Sequence, residues 1–449
     1  MSQPRLTPAL LAHAIALVTE VLRFSGPADE ALSRYFRAHR ALGQSERAFV
    51  AETVFAVLRR KRSLEAAGGA EPRLLVAAAL VRVLGFSGRA LAGLFDDDLI
   101  ERLRATRGEA LAPAVLAELP DWLWLRLASV HGEEEALRIA QALANPAPLD
   151  LRVNLARSSR EEVLTRLEAD GLQARATPYS PAGIRLAGKP PINRHPLFKE
   201  GLVEVQDEGS QLIAWLLGPR RGEMIADYCA GAGGKTLAAA ALMRGTGRIY
   251  AFDTSPKRLA SLAPRAARAG ITNVHAVVLA AGQDARVKRL AGKLDRVLVD
   301  APCSGFGTLR RNPELKWRYG PEAVGELVEK QTRILAAASR LVKPGGRLVY
   351  ATCSLLAEEN EAVAAAFGAA HPEFQPLSCA KVLEGQRIAL DTGEYLKLSP
   401  HRQGTDAFFA AAFERRKQCT LVKSSLSTQR LGDADTADRH SRRMARATQ

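Results

Sequence analysis

From about residue 200 onward, short apolar runs alternate regularly with longer helical segments. This alternation predicts a doubly wound, mostly parallel sheet, because parallel strands need long crossovers between them, usually helices. The predicted strands are Met224–Tyr228, Arg248–Phe252, Val274–Leu279, Arg296–Val299 and Arg347–Ala351. The predicted helices include Lys235–Met243, Pro256–Ala269 and Glu322–Val342. A late pair of runs, Tyr395–Leu398 and Ala407–Phe413, is expected to add antiparallel strands at an edge of the sheet.

The rest of the chain divides into segments of different character. A length of 449 residues predicts two or three domains. Residues 1–125 contain helical patterns only, with helices expected from Thr7-Pro8, from Ser45, and over 72–84, 87–95, 97–106 and 109–118. Residues 126–200 are interrupted by prolines and predict a small α+β module, with strands Leu149–Leu155, Leu172–Ala176 and Gly183–Leu186 and a helix from Ser159 to Asp170. Residues 201–414 form the predicted α/β domain, and residues 415–449 a basic, disordered tail.

Charge and cysteine content narrow the function classes. The formal net charge of +15 favours a polyanionic partner, most simply nucleic acid. Five cysteines without a CxxC pair argue against a disulfide framework and a structural zinc site. No apolar stretch approaches the length that spans a bilayer, and the N-terminus lacks a secretory pattern. We therefore expect a cytoplasmic protein that binds neither a membrane nor a metal ion.

A glycine-rich turn joins the first predicted strand to its helix. Glycines 231, 233 and 234 allow a sharp turn and a close approach of the backbone to a ligand. A P-loop would require a glycine where this chain has Cys229, so that alternative fails. Asp253 closes the second strand, where it could accept from ribose hydroxyls or cap the next helix. Asp284 follows the third strand and could bind an adenine amino group or be a plain surface residue.

Two cysteines follow predicted buried strands. Cys303 lies in Asp300-Ala301-Pro302-Cys303, and Cys353 in Thr352-Cys353-Ser354. Because open α/β sheets bind ligands at the carboxyl ends of their strands, these thiols and the glycine turn indicate covalent catalysis beside a cofactor. Cys229 lies inside the turn and is expected to contribute backbone contacts, whereas Cys379 and Cys419 belong to no motif.

The ordered motifs resemble the RsmB/NOP/Sun family of RNA (cytosine-5)-methyltransferases. The resemblance covers residues 145–413 and rests on the segments 227–236, 300–305, 350–354, Glu358-Glu359-Asn360, Val205–Ser210 and Arg311–Trp317. Ala41–Arg60 and Leu119–Asn154 are also similar to a bacterial member that methylates small-subunit ribosomal RNA and has a helical, NusB-like N-terminal domain. One departure stands out, because the family usually has Ala-Pro-Gly-Gly-Lys where this chain has Gly231-Ala232-Gly233-Gly234-Lys235.

This resemblance implies a Rossmann-like class I methyltransferase domain that uses S-adenosylmethionine. It implies Cys353 as the thiol that attacks cytosine C6 and Cys303 as the thiol that assists product release. Asp300 would contact the base edge, and Lys235 would orient Asp300 or the base. The residues implied in cofactor binding are Cys229, Ala230, Gly231, Ala232, Gly233, Gly234, Lys235, Asp253, Asp284 and Asp300.

The expected partner is RNA, with ribosomal RNA favoured, and the chain is expected to act as a monomer. Basic clusters at Arg59–Arg62, Arg286–Lys293, Arg310-Arg311 and Lys316–Tyr319 could bind phosphates or stack on bases. Three alternatives stay open: a tRNA cytosine-5 methyltransferase, a methyltransferase for a small molecule or protein, and a non-catalytic NusB-like RNA-binding or ribosome assembly factor. The thiol pair and Asp300 argue against the last, because binding alone needs neither.

Overall fold

The computed structural model describes residues 5–105, 111–279 and 285–417. Asp284 and residues 418–449 of the predicted tail lie outside the described residues, so the predictions for them stay predictions. The described chain up to Arg416 forms one compact unit. No helix in the described ranges is long and apolar enough to cross a membrane.

The N-terminal part of the described chain is helical, as expected. Thr7 caps the first helix by accepting a hydrogen bond from the Leu10 amide, and Pro8 occupies its first turn. The predicted helix over 87–95 is wrong beyond Leu91, because Gly93 adopts a left-handed φ of 72°. The helices are α1 Pro8–Val21, α2 Ala28–Ala38, α3 Gln44–Gly68, α4 Pro72–Arg82, α5 Gly88–Leu91, α6 Asp97–Ala105, α7 Pro113–Leu116, α8 Asp121–His131 and α9 Glu133–Leu143.

A small antiparallel sheet follows the helices. Its elements are β1 Leu149–Val153, α10 Arg160–Ala169, β2 Ala174–Ala176, β3 Gly183–Leu186, α11 Pro196–Lys199 and β4 Val203–Val205. Ser159 caps α10 in a capping box with Glu162, which confirms the predicted start of this helix. The strand order is β2-β3-β1-β4, and β4, beyond position 200, completes the sheet.

The large sheet is doubly wound, as the alternating pattern predicts. Its elements are α12 Glu208–Leu217, β5 Met224–Asp227, α13 Gly234–Leu242, β6 Arg248–Asp253, α14 Pro256–Ala260, α15 Leu262–Ala269, β7 Val274–Val278, α16 Ala285–Lys288, β8 Leu294–Asp300, α17 Leu315–Arg318, α18 Pro321–Ser339, β9 Val342–Thr352, α19 Glu361–Ala370, β10 Phe374–Leu377, α20 Cys379–Glu384, β11 Leu396–Leu398, α21 Pro400–Gln403 and β12 Phe408–Arg415. The strand order is β10-β12-β9-β8-β5-β6-β7, with β11 paired to β12. Strands β5 to β9 are parallel, and the last three strands are antiparallel to their neighbours.

Two predictions for this domain need correction. The predicted helix to Val342 ends at Ser339, because Val342 already pairs with Leu294 as the start of β9. Pro344 and Gly345 inside β9 conceal this long strand from pattern analysis. The second of the late strands is also not at an edge, since β12 pairs with β9 on one side and with β10 and β11 on the other.

One apolar cluster joins the helical part to the loops that follow β8 and β9. Trp122 of α8 packs against Phe306, with ring centroids 5.8 Å apart, and Phe306 is fully buried. Leu309, Val324 and Leu356 belong to the same cluster as the buried faces of α8 and α9. Burial of this apolar surface therefore fixes the loops after β8 and β9 against the helices.

Candidate active site

The predicted site residues in the described chain lie at one edge of the large sheet. Asp227, Asp253, Asp300 and Thr352 are the last residues of β5, β6, β8 and β9. Because these strands are parallel, their carboxyl ends meet at the same edge. The strand order reverses between β5 and β8, which is where open α/β sheets bind their ligands.

The glycine turn after β5 requires glycine at one position above all. Gly233 adopts a φ of 83°, and a Cβ atom there would lie 2.2 Å from Cδ1 of Leu262. Gly231 also has a positive φ, of 55°, but no heavy atom lies within 4 Å of its would-be Cβ. The departure from the family pattern at position 231 therefore places a glycine where the backbone is left-handed and space is open.

The carboxylate of Asp253 holds this turn in place. Its Oδ2 accepts a hydrogen bond of 2.8 Å from the Gly231 amide, and its Oδ1 accepts from the Ser255 amide at 2.7 Å. The side chain of Arg258 donates to the same Oδ1 at 2.9 Å. Ser255, rather than Asp253, caps α14, so the helix-cap interpretation of Asp253 does not hold. Asp253 therefore connects the ends of β5 and β6.

Arg152 of the small sheet also supports the glycine turn, and sequence reasoning missed it. Its guanidinium donates to the backbone carbonyl of Gly234 at 2.8 Å and to the side chain of Gln206. Arg152 is buried, and burial lowers its pKa to about 10, so it stays charged at neutral pH. A lone arginine in a strand gives no local signal of this role, because the contact spans the two sheets.

Two acidic groups in the buried part of this region have raised pKa values. Asp227 accepts from the Thr236 hydroxyl at 2.7 Å, but its Oδ1 has no partner. Burial, only partly offset by this hydrogen bond, raises the pKa of Asp227 to about 7. Burial and the nearby charge of Asp227 also raise the pKa of Cys229, which therefore stays a neutral thiol. Cys229 is thus unsuited to act as a nucleophile.

Lys235 and Asp300 form an ion pair across the strand ends. The Lys235 Nζ lies 2.6 Å from Oδ2 of Asp300 and 5.5 Å from the centre of the Phe408 ring. Burial alone would lower the pKa of Lys235, but the pairing with Asp300 outweighs it and raises the pKa above its ordinary value. Lys235 is therefore a charged ammonium that fixes the position of the Asp300 carboxylate.

The two predicted thiols are in contact. The sulfur atoms of Cys303 and Cys353 lie 3.5 Å apart, and both side chains are partly accessible to solvent. The hydrogen bond with Cys353, together with burial, raises the pKa of Cys303 well above its ordinary value. Among the described residues, no group of three or more His, Cys, Asp or Glu side chains could hold a metal ion. The arrangement suits covalent chemistry by thiols.

The basic residues after Cys303 have partners within the protein. Arg311 pairs with Asp207 and Asp406, and Arg310 donates to the backbone carbonyls of Gly404 and Thr405. These arginines therefore fasten the loop after Cys303 to the start of β12. Lys316 is also buried, which lowers its pKa to about 7, and its Nζ donates to the Arg59 carbonyl. All three residues therefore have partners within the protein, and phosphate binding by them stays a prediction.

Two family models match the chain. Residues 214–414 match the model described as 16S rRNA methyltransferase RsmB/F, and residues 119–193 match the ferredoxin-like domain described for Methyltr_RsmF/B-like proteins. These ranges correspond to the large sheet with its helices and to most of the small antiparallel sheet.

Relatives and solved structures agree with these models. The Probable ribosomal RNA small subunit methyltransferase B of Bacillus subtilis is 35% identical, over 66% of this chain and 66% of that protein. A methyltransferase homolog from Pyrococcus horikoshii is 30% identical, with a TM-score of 0.58 over 68% of this chain and 97% of that one. The crystal structure of PH0851 is 26% identical, with a TM-score of 0.75 over 92% of this chain and all of that one.

Fold and site together define a Rossmann-like methyltransferase domain preceded by a helical region and a small ferredoxin-like domain. The chain belongs to the RsmB/F family of methyltransferases. The family and fold class expected from the motifs are thereby confirmed.

Replacing Asp227 with Asn should flatten the pH dependence of stability between pH 3.8 and about pH 7. Because burial raises the pKa from 3.8 to about 7, the folded state keeps a proton that the unfolded state has released in this window. The free energy of unfolding of the wild type therefore falls as the pH rises, by at most about 1.4 kcal/mol per pH unit from this group. Urea unfolding at several pH values measures the difference, and parallel pH profiles of wild type and variant would contradict it.

Proposed function

We propose that this protein transfers a methyl group from S-adenosylmethionine to C5 of a cytosine in RNA, with 16S ribosomal RNA as its substrate. The contact between the Cys303 and Cys353 sulfurs, 3.5 Å apart at the ends of β8 and β9, carries this proposal. The matching family is described as acting on 16S rRNA. A net charge of +15 further supports a polyanionic substrate.

The chemistry explains why thiols are needed. Cytosine C5 is a poor nucleophile until a nucleophile adds to C6. When the Cys353 thiolate forms a bond to C6, the ring electrons shift toward C5, which then accepts the methyl group. Loss of the C5 proton restores the double bond between C5 and C6 and expels the thiolate. Sulfur suits this addition because it is polarisable and forms a thiolate more readily than a hydroxyl forms an alkoxide.

The glycine turn fits the proposed cofactor. Gly231 leaves the backbone open for close approach, and the first amides of α13 lack helical partners. Cys229–Lys235, Asp253 and Asp300 would hold the cofactor, and Asp253 would accept hydrogen bonds from its ribose hydroxyls. S-adenosylmethionine would supply an electrophilic methyl group on its sulfonium.

The remaining roles follow from the pairing within the site. Asp300, fixed by Lys235, accepts a hydrogen bond from the N4 amino group and so orients the base edge. The resemblance to the RNA cytosine-5 methyltransferases assigns Cys353, rather than Cys303, as the attacking thiol. Cys303 then assists release of the methylated base. The target cytosine has to be unpaired or flipped out to reach these groups.

Two other functions are distinguishable by experiment. A tRNA substrate would use the same site, and only the choice of RNA tells it apart from ribosomal RNA. A non-catalytic RNA-binding factor would have no use for two thiols beside a cofactor turn. We also propose that the chain acts as a monomer in the cytoplasm.

Methyl transfer from labelled S-adenosylmethionine into unmodified 16S rRNA, followed by nucleoside analysis, tests the proposal. We expect the label in 5-methylcytidine. Cys353→Ala should lower the rate by at least about a thousandfold, because it removes the nucleophile. Cys303→Ala should accumulate a covalent protein–RNA complex, because product release fails.

Cys379→Ala is the matched control, since Cys379 lies in the core and belongs to no motif. It should retain activity. Label in tRNA alone would replace the substrate assignment, and turnover by the Cys353 variant would overturn the mechanism.

Gly233→Ala should weaken cofactor binding about tenfold or more. The added methyl group would collide with Leu262. The alanine would also have to adopt a left-handed φ, which costs on the order of 1–3 kcal/mol. Gly231→Ala is the comparison variant: it is also strained by a left-handed φ, but its added methyl group meets open space, so it should lose less affinity than Gly233→Ala. Calorimetric titration with S-adenosylmethionine measures both, and equal affinities of the two variants would contradict this account of the turn.

A further inference from the structure

One buried carboxylate joins the two loops that carry the thiols. Glu359, fully buried, lies in the turn before α19. Its Oε1 accepts from the Ser304 amide at 2.8 Å, and its Oε2 accepts from the Ser304 hydroxyl at 2.5 Å and from the Ser354 hydroxyl. Ser304 and Ser354 directly follow Cys303 and Cys353 in the sequence.

Further hydrogen bonds fix the carboxylate itself. Gln331 of α18 donates to Oε1 at 2.9 Å and also to the carbonyl of Pro302 at 3.0 Å. The Tyr350 hydroxyl donates to the Glu359 carbonyl at 2.5 Å. Asn360, the next residue, binds the Thr352 side chain and the Ser354 carbonyl. Glu359 therefore cannot move without disturbing both strand ends.

The energetics favour a specific role over simple packing. A buried carboxylate is costly unless hydrogen bonds satisfy it, and the donors named here are all neutral. Those from Ser304 and Ser354 come from the residues next to the thiols. These hydrogen bonds therefore stabilise the arrangement in which both loops lie against the Glu359 carboxylate.

We propose that Glu359 is a positioning residue that holds the Cys303 and Cys353 sulfurs at their contact distance for the reaction. This inference rests on the proposed function for its purpose, but the contact itself is measurable without RNA or cofactor. Glu359 acts through Ser304 and Ser354 and does not touch the reacting base.

Oxidative cross-linking of the two thiols by diamide tests the inference. Diamide takes up the two hydrogens that the thiols lose on forming a disulfide. Glu359→Ala should slow formation of the Cys303–Cys353 disulfide about tenfold or more, measured by mass spectrometry of the linked peptides. Ser354→Ala cuts one loop from the carboxylate and should slow it as well, even if the first variant folds poorly. Glu359→Gln should restore much of the rate, because the amide keeps an acceptor for Ser304 and Gln331 while the serine hydroxyls reorient.

Glu358→Ala is the matched control. Glu358 is the adjacent carboxylate, but it is partly exposed and pairs with Arg126, so its variant should cross-link at the wild-type rate. In turnover, Glu359→Ala and Ser354→Ala should lower kcat about 10- to 100-fold and leave the Kd for S-adenosylmethionine unchanged.

The outcomes separate this inference from the proposed function. Wild-type cross-linking rates and kcat in both variants would overturn the role of Glu359. Failure of diamide to form the Cys303–Cys353 disulfide in the wild type itself would also overturn this role. Loss of cross-linking in the variants, in a wild type that methylates no RNA, would support the positioning role and reject the proposed function instead.

Discussion

The direction of the parallel strands places the chemistry of this protein at one edge of its large sheet. Because β5, β6, β8 and β9 run the same way, their carboxyl ends bring a glycine turn, three acidic side chains and two thiols together. Residues distant in the sequence thus become neighbours, including Lys235 with Asp300, 65 positions apart, and Cys303 with Cys353, 50 positions apart. Any change of strand order between β5 and β8 would separate the glycine turn from the first thiol.

The loops at this edge are held by the rest of the chain. Phe306, just after Cys303, is buried against α8 and α9. The Gly307 amide donates to the Cys353 carbonyl at 2.8 Å, and the Gly307 carbonyl accepts from the amide of Ala407 before β12. Arg152 brings the small sheet to the glycine turn. The helical region and the small sheet therefore support the site directly, which explains why a Rossmann-like domain is packed with both.

Sequence reasoning reached the parts of this structure that leave a local pattern. Apolar runs predicted the parallel strands, and the two Cys motifs and the glycine-rich segment predicted that the two thiols and a glycine turn lie at the strand ends. It did not predict the contacts of Arg152 or the proposed role of Glu359, because their partners lie far away in the sequence. The sequence alone also does not distinguish a buried charged residue from an exposed one. Arg310 and Arg311 show the reverse case: the sequence predicted exposed charges for binding phosphate, but Arg311 pairs with Asp207 and Asp406 and Arg310 donates to backbone carbonyls. Only the fold distinguishes a structural arginine from one that binds phosphate.

The most direct measurement is to identify the cysteine that bonds to the base in a trapped complex. In 16S rRNA transcribed with 5-fluorocytidine, C5 carries fluorine where the reaction needs a removable proton, so the covalent complex should accumulate. After nuclease and protease digestion, the account predicts the modified nucleotide on the peptide that contains Cys353. Attachment at Cys303 would contradict the assignment of the two thiols, and the absence of any covalent complex would contradict the covalent mechanism itself.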